Sequence, residues 1–245
     1  MSIDLILLTL ASFVGSIISG ITGIGGGMLL MGFMSPIISP PQLIPTHGAV
    51  QLVSNINRTI LHFRYFNKRV AGLYFIGACI GAYFGTLFQI SLSKATLGFC
   101  IGAYILKSLW INFNKINILN FLLDHIGILG AISTILSLFI GVTGPLVHTH
   151  LLKQKYENRF AFIGTEGFCA GTTHLFKILV YTSWGVSILP QMHLIIPMIF
   201  ATILGSYVGK QLLGKLNEKY FRLIIKWLLT FLGLKLVITS ILSWI

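Results

Sequence analysis

Gly23-Ile24-Gly25-Gly26-Gly27 interrupts an apolar run that reaches from residue 3 to residue 39, and Gly141-Val142-Thr143-Gly144-Pro145 interrupts a second run from 125 to 152. Glycines in succession open backbone conformations closed to other residues, so each stretch reads as a break in a helix. The residues beyond the two breaks also correspond. Thr46-His47-Gly48, Asn55 and Arg58 come after the first; Thr165-Glu166-Gly167, His174 and Lys177 come after the second. His47 and Glu166, Asn55 and His174, and Arg58 and Lys177 are each 119 positions apart. A duplicated apolar chain with a helix-breaking stretch opening each half points to a transporter binding site at the breaks.

The 245 residues are 55% hydrophobic and only 9% charged, with a mean hydropathy of +0.89. That leaves too little polar surface to cover a water-soluble globule of this size, and the chain reads as an integral membrane protein. Its apolar stretches repeatedly reach about 20 residues, enough for a helix to cross a hydrocarbon core of roughly 30 Å. Strand-like alternation is absent, so an all-α bundle is expected over a β-barrel. The net charge of +12 sits in short loops beside apolar spans, as in cytoplasmic loops, and argues against nucleic acid as a partner. Cys79, Cys100 and Cys169 lie inside apolar stretches without metal-like spacing, so no disulfide is expected. Met1-Ser2-Ile3-Asp4 carries no positive charge and the apolar run behind it is too long for a signal peptide, so a retained membrane segment is expected.

Hydropathy and punctuation place apolar segments at 3–39, 43–63, 70–90, 95–111, 125–152, 159–182, 188–209 and 219–243. The Asn-rich stretch from Asn112 to Asn120 reads as the join between a first membrane repeat, 1–120, and a second, 121–245, which together form one transport domain. Gly81 and Gly85 answer Gly205 and Gly209, and Lys107 answers Lys235. Small residues four apart let membrane helices approach closely, so these glycine pairs read as packing devices. Basic residues cluster at Arg64/Lys68/Arg69, Lys107/Lys115, Lys153/Lys155/Arg159 and Lys210/Lys215/Lys219/Arg222. Eight plain crossings leave the first two clusters on one side of the membrane and the last two on the other. If the interrupted first and fifth segments are re-entrant hairpins, the halves are inverted and all four clusters fall on the cytoplasmic side. Runs of about 20 residues before each break are long for half a hairpin, and both topologies stay open.

Backbone amides at a glycine break, together with a following helix N-terminus, attract anions. Gly25-Gly26-Gly27 leads into Met28-Leu29-Leu30, and Pro145 suits the first turn of a new helix because it needs no N–H there. The plainer reading, tight helix crossing, does not explain why the break recurs in both halves. Arg58 and Lys177 lie within spans, each one turn after a polar residue, Asn55 or His174, on the same helix face. Snorkelling to the interface competes with a role as two inward cations at an anion site. Glu166 is the one acidic residue deep in an expected span and suits proton coupling; its alternative is a structural pair with Lys177, eleven residues further along. His47, its counterpart in the first half, is a second proton-coupling candidate. His148 and His150 lack an acidic or thiol companion and make only a weak metal signal. The candidate substrate-binding set is Gly23, Gly25, Gly26, Gly27, His47, Asn55, Arg58, Thr143, Gly144, Pro145, Thr165, His174 and Lys177. No cofactor and no metal is expected.

Ser19 to Gly27, then His47-Gly48-Ala49 with Asn55 and Arg58, and in the second half Gly141 to Pro145 with Gly164-Thr165, His174 and Lys177 resemble the TauE/SafE sulfite exporter family of bacterial membrane permeases. The resemblance runs through nearly the whole chain, and the glycine break is its most specific part. It implies a multi-pass permease of the bacterial inner membrane for a small anion: sulfite, a sulfonate or another organosulfur compound. Thr143 stands where a second-half glycine is common, and Glu166 matches no family signature.

The leading expectation is therefore a secondary transporter, not an enzyme, working by alternating access around the two breaks and coupled to a proton or sodium ion. No Walker-type phosphate loop is present. An intramembrane enzyme would need a nucleophile or metal constellation that the chain lacks. A membrane subunit that only holds a partner leaves the polar residues inside both halves without a reason. Assembly as a homo-oligomer stays open.

Overall fold

The computed structural model describes residues 2–89, 92–111, 125–153, 156, 158–213, 215 and 218–244. Among these residues the regular structure is helical throughout: α1 Ile3–Thr22, α2 Gly26–Met34, α3 Pro40–Leu61, α4 Lys68–Thr86, α5 Lys94–Trp110, α6 Ile126–Ile140, α7 Gly144–Lys153, α8 Arg159–Ser183, α9 Met192–Leu212 and α10 Glu218–Leu242. A short 3-10 turn, Leu189–Gln191, precedes α9. The ends follow local chemistry. Asn67 caps α4, Ser93 caps α5 and Asn158 caps α8, each side chain accepting from amides of the first turn. Gly23 and Gly141 end α1 and α6 in left-handed conformation, φ 83° and 81°, a region that favours glycine.

Each break turns the chain back on itself. Gly26, the first residue of α2, packs against Gly15 in the middle of α1, and the far end of α2 shares a cavity with Asp4 and Leu7 near the start of α1. The chain α1–α2 is therefore a hairpin with unequal arms. In the second half, Gly141 at the end of α6 lies by Met31 and Ile44, whereas Leu152 near the end of α7 shares a cavity with Thr22, Leu109 and Arg222 at the opposite end of the bundle. The arm α7 thus runs back along the bundle as α2 does.

Four helix pairs dominate the packing: α1 with α9, α4 with α6, α3 with α8 and α5 with α10. The first two are parallel. Gly20 meets Gly209 and Gly205 meets Phe13 and Ser16, while Gly77 meets Gly127 and Gly81 meets Ala131, with backbone filling the place of any side chain. The other two are antiparallel, Gly171 lying by Asn55 and Gly164 by His62, Gly102 by Gly233 and Gly98 by Ser240. The expected packing role of Gly81, Gly205 and Gly209 is met by backbone neighbours; Gly85 is met by the Leu138 side chain.

Outward faces are apolar, as at Phe200 and Phe231, 65% and 76% exposed, while Ser12, Ser16, Ser19, His47, Gln51, Asn55 and Lys177 are buried. That inside-out distribution suits lipid as solvent. By length and composition, Ile3–Thr22, Leu189–Leu212 and Tyr220–Leu242 can cross a membrane. His62 and Tyr65 pack on Phe160 at the start of α8, and Gly209 meets Gly20 near the end of α1. These contacts bring Arg64, Lys68, Arg69, Arg159, Lys210 and Arg222 to one end of the bundle. Lys115, Lys155 and the join at Asn112 to Asn120 fall outside the described residues.

Candidate functional site

Helix geometry sets up the site. His47, Gln51, Asn55 and Arg58 occupy successive turns on one face of α3, and Glu166, Ala170, Thr173, His174 and Lys177 do the same on α8. Because α3 and α8 pack antiparallel, the polar stripes face each other, and the two breaks close on the space between them. The result is a cavity of about 50 Å³. A single water needs roughly 10–15 Å³ by the same measure, so the space admits about three to five water-sized bodies.

Gly23, Gly25, Gly27, His47, Asn55, Arg58, Thr143, Gly144, Pro145, Glu166 and His174 all line it. Both short helices begin there, α2 with Gly25 and Gly27 and α7 with Gly144 and Pro145 at the wall. Two helix N-termini present partial positive charge to one small space.

Each cation secures the break of its own half. Arg58 Nη1 donates to the carbonyls of Ser19 and Gly23 at 2.9 and 3.0 Å, and Nη2 donates to Asn55 Oδ1. Lys177 Nζ donates to Gly141 O at 2.6 Å and lies 3.0 Å from His174 Nδ1. Ser19 O already accepts from the Gly23 N–H at 2.8 Å, while Gly23 O and Gly141 O stand at the C-termini of α1 and α6, the negative ends of the helix dipoles, where a buried cation satisfies both hydrogen bonding and charge. His47 Nε2 bonds Gly27 O at 2.9 Å, tying α3 to the first turn of α2. Ser19 Oγ accepts from Gly26 N–H at 3.2 Å.

Three of the candidate residues stand off the cavity. Lys177 is fully buried behind the second break. Thr165 faces the turn after α3, accepting from Asn67 N–H at 2.9 Å, because it is rotated about 100° around α8 from Glu166. Gly26 turns toward α1, where a Cβ would meet the Gly15 backbone and Ser19 Oγ; its φ is not positive, and among the described residues the left-handed glycines are Gly23, Gly25, Gly141 and Gly185.

The Glu166–Lys177 pair does not form. Eleven residues along a helix place the two about 16 Å apart, and Glu166 instead has Arg58 at 3.9 Å from Oε2 and His148 Nδ1 at 3.1 Å from Oε1. His148, read from sequence only against a metal, belongs to this carboxylate. Ser19, Gln51 and Thr173 also line the cavity. The sequence signal for Gln51 and Thr173 was their place on the same helical stripes as Asn55 and His174.

A family model described as Sulfite exporter TauE/SafE matches residues 8–236. No curated protein and no solved structure matches the chain.

Proposed function

This chain belongs to the Sulfite exporter TauE/SafE family, a family of membrane transporters for sulfite or a related anion, and on that premise we propose that it is a secondary permease holding a small sulfur oxyanion or sulfonate between its two helix breaks. The observation that carries the reading is the central cavity itself, where the N-termini of α2 and α7 and the Arg58 guanidinium converge on one buried space. Preorganised amides and a buried guanidinium bind an oxyanion through charge-assisted hydrogen bonds. Lys177 acts at one remove, holding the Gly141 carbonyl and His174 in place. Glu166 and His47 are the proton-coupling candidates.

The packing supports an inverted repeat. Exchanging the halves carries the α1–α9 pair onto α6–α4 and returns α3–α8 and α5–α10 to themselves, and because these two self-paired couples are antiparallel, the relation is that of a two-fold axis in the membrane plane. Folding α1–α2 and α6–α7 back as hairpins leaves three crossings per half, and the end shared by Arg64, Lys68, Arg69, Arg159, Lys210 and Arg222, against Lys94 and Lys235 at the other, favours cytoplasmic placement of the former. Cysteines placed singly at Lys68, Lys115, Lys155 and Lys215 are expected to react with a membrane-impermeant reagent from one side of sealed vesicles only. Labelling of the first two from one side and the last two from the other would restore eight plain crossings.

Substrate is tested in proteoliposomes with sulfite, sulfate, thiosulfate, taurine and sulfoacetate, with and without a proton gradient. Saturable uptake of at least one of these anions is expected. No uptake of any would sink the permease reading.

A further inference from the structure

A second cavity of about 270 Å³ lies at the basic end of the bundle, between the first break, α5, α7 and α10. It shares Ile24, Gly25, Met28 and Pro145 with the central cavity, so these residues form the partition between the two. His148 belongs to the wall of the outer cavity, and Glu166 to the wall of the inner one. Their contact, Nδ1 to Oε1 at 3.1 Å, crosses the partition. On the far side of the same carboxylate, Oε2 is buried without a hydrogen-bond partner, 3.9 Å from Arg58, whose Nε is likewise unpartnered. A carboxylate oxygen facing a guanidinium without a hydrogen bond, at the wall of an anion-sized space, stands where a substrate oxygen would stand.

Building on the permease reading, we infer that Glu166 is a tethered occupant of the anion site, and that His148 delivers from the basic-end cavity the proton that frees Arg58 for the substrate. The imidazolium of His148 gives its Nδ1 proton to Glu166 Oε1. The N–H bond breaks as the O–H bond forms, leaving a neutral imidazole and a neutral carboxyl group. The imidazole is reloaded from the outer cavity. With Glu166 neutral, the buried cation lacks a counter-ion until the substrate anion takes that place. One negative charge replaces another opposite Arg58, so binding adds no uncompensated charge to the interior. Anion and proton are then bound together and cross in the same direction.

Among the described residues, the groups around this relay are few. Arg58 faces Glu166 from α3 and His148 faces it from α7; Tyr156, ahead of α8, and Cys169, on α8 itself, are the other titratable groups nearby. α1 contributes the backbone at Gly23, close enough that a Cβ there would collide with the carboxylate. The Phe162 ring stands edge-on to His148, and Arg222 and Lys226 line the outer cavity from α10. Two cations at that mouth raise the local concentration of anions arriving from the basic end.

The test uses the full chain in proteoliposomes with radiolabelled sulfite, read two ways: exchange at equal sulfite on both sides, and accumulation driven by a pH gradient. The parent is expected to do both. Glu166→Gln, which keeps the volume and a hydrogen-bonding oxygen but cannot ionise, lines the anion site and is therefore expected to exchange sulfite with altered rate and affinity, and to lose gradient-driven accumulation altogether. Its exchange should also lose the part of the pH profile that exceeds the titration of sulfite itself. His148→Gln should reach the parent's accumulation but on the order of 100-fold more slowly, the scale of losing a positioned proton donor. Glu166→Gln accumulating like the parent, or a monodisperse Glu166→Gln that cannot exchange, overturns the inference while the permease reading stands. If that variant does not fold, His148→Gln decides, and accumulation at the parent's rate overturns the relay. A parent that exchanges no sulfite overturns both.

Discussion

Arg58→Gln is expected to lose sulfite affinity by about 10- to 150-fold, because hydrogen bonds to a charged group contribute about 1.5–3 kcal/mol each. The same change strips the Gly23 carbonyl of its Arg58 donor, leaves Ser19 O with the Gly23 N–H alone, and leaves Glu166 buried opposite a neutral amide. Removing one member of a buried charged pair costs roughly 3–5 kcal/mol, so the variant should also melt well below the parent. Lys177→Met separates the two effects. It strips the Gly141 carbonyl of its charged donor and should destabilise by about 1.5–3 kcal/mol, yet Lys177 does not line the cavity, so affinity per folded molecule should fall less. Binding of radiolabelled sulfite to detergent-purified protein, with thermal melting in parallel, measures both. Equal affinity losses in the two variants would mean that Lys177 touches the anion after all, through a rearrangement of the second break.

The asymmetry between these cations shows which parts of the site could be read along the chain. The breaks, the helical segments and the stripes on α3 and α8 follow from local rules: glycine runs, apolar length and residue spacing at successive turns. Those rules place Asn55 and Arg58 on one face of α3, and His174 and Lys177 on one face of α8. They do not say how deeply each face penetrates. Arg58 sits level with the tip of α1 and reaches the cavity, whereas Lys177 sits level with Gly141 and is covered by it. The partners of Glu166 were equally hidden, since His148 comes from the arm of a hairpin and Arg58 from the other half of the chain. Spacing along one helix identifies a face; only the packing of other helices identifies what that face meets.

That limit is sharpest at the first residue of α2. Gly26→Leu is expected to remove most transport, for a reason different from crowding the substrate. Gly15 and Gly26 let α2 fold back directly on α1, and a Cβ on Gly15 would already stand 2.9 Å from the Gly26 carbonyl oxygen. A leucine at Gly26 must push the two backbones apart, since backbone cannot rotate away as a side chain can. Overpacking costs about 1–3 kcal/mol where a core relaxes, and here relaxation also breaks the Ser19 Oγ contact that caps α2. Displacing α2 moves Gly25 and Gly27, hence the Gly27–His47 hydrogen bond and one helix N-terminus of the cavity. Gly81→Leu meets backbone as well, at Ala131. It should therefore destabilise too, but by separating α4 from α6, whose residues do not line the cavity. Gly72 has nothing within 4 Å of an added Cβ, so Gly72→Leu is the control for expression and insertion. Transport per folded molecule should then rank Gly72→Leu near the parent, Gly81→Leu below it and Gly26→Leu lowest. If Gly26→Leu and Gly72→Leu match once normalised, the close approach of α1 and α2 stabilises the bundle without shaping the anion site.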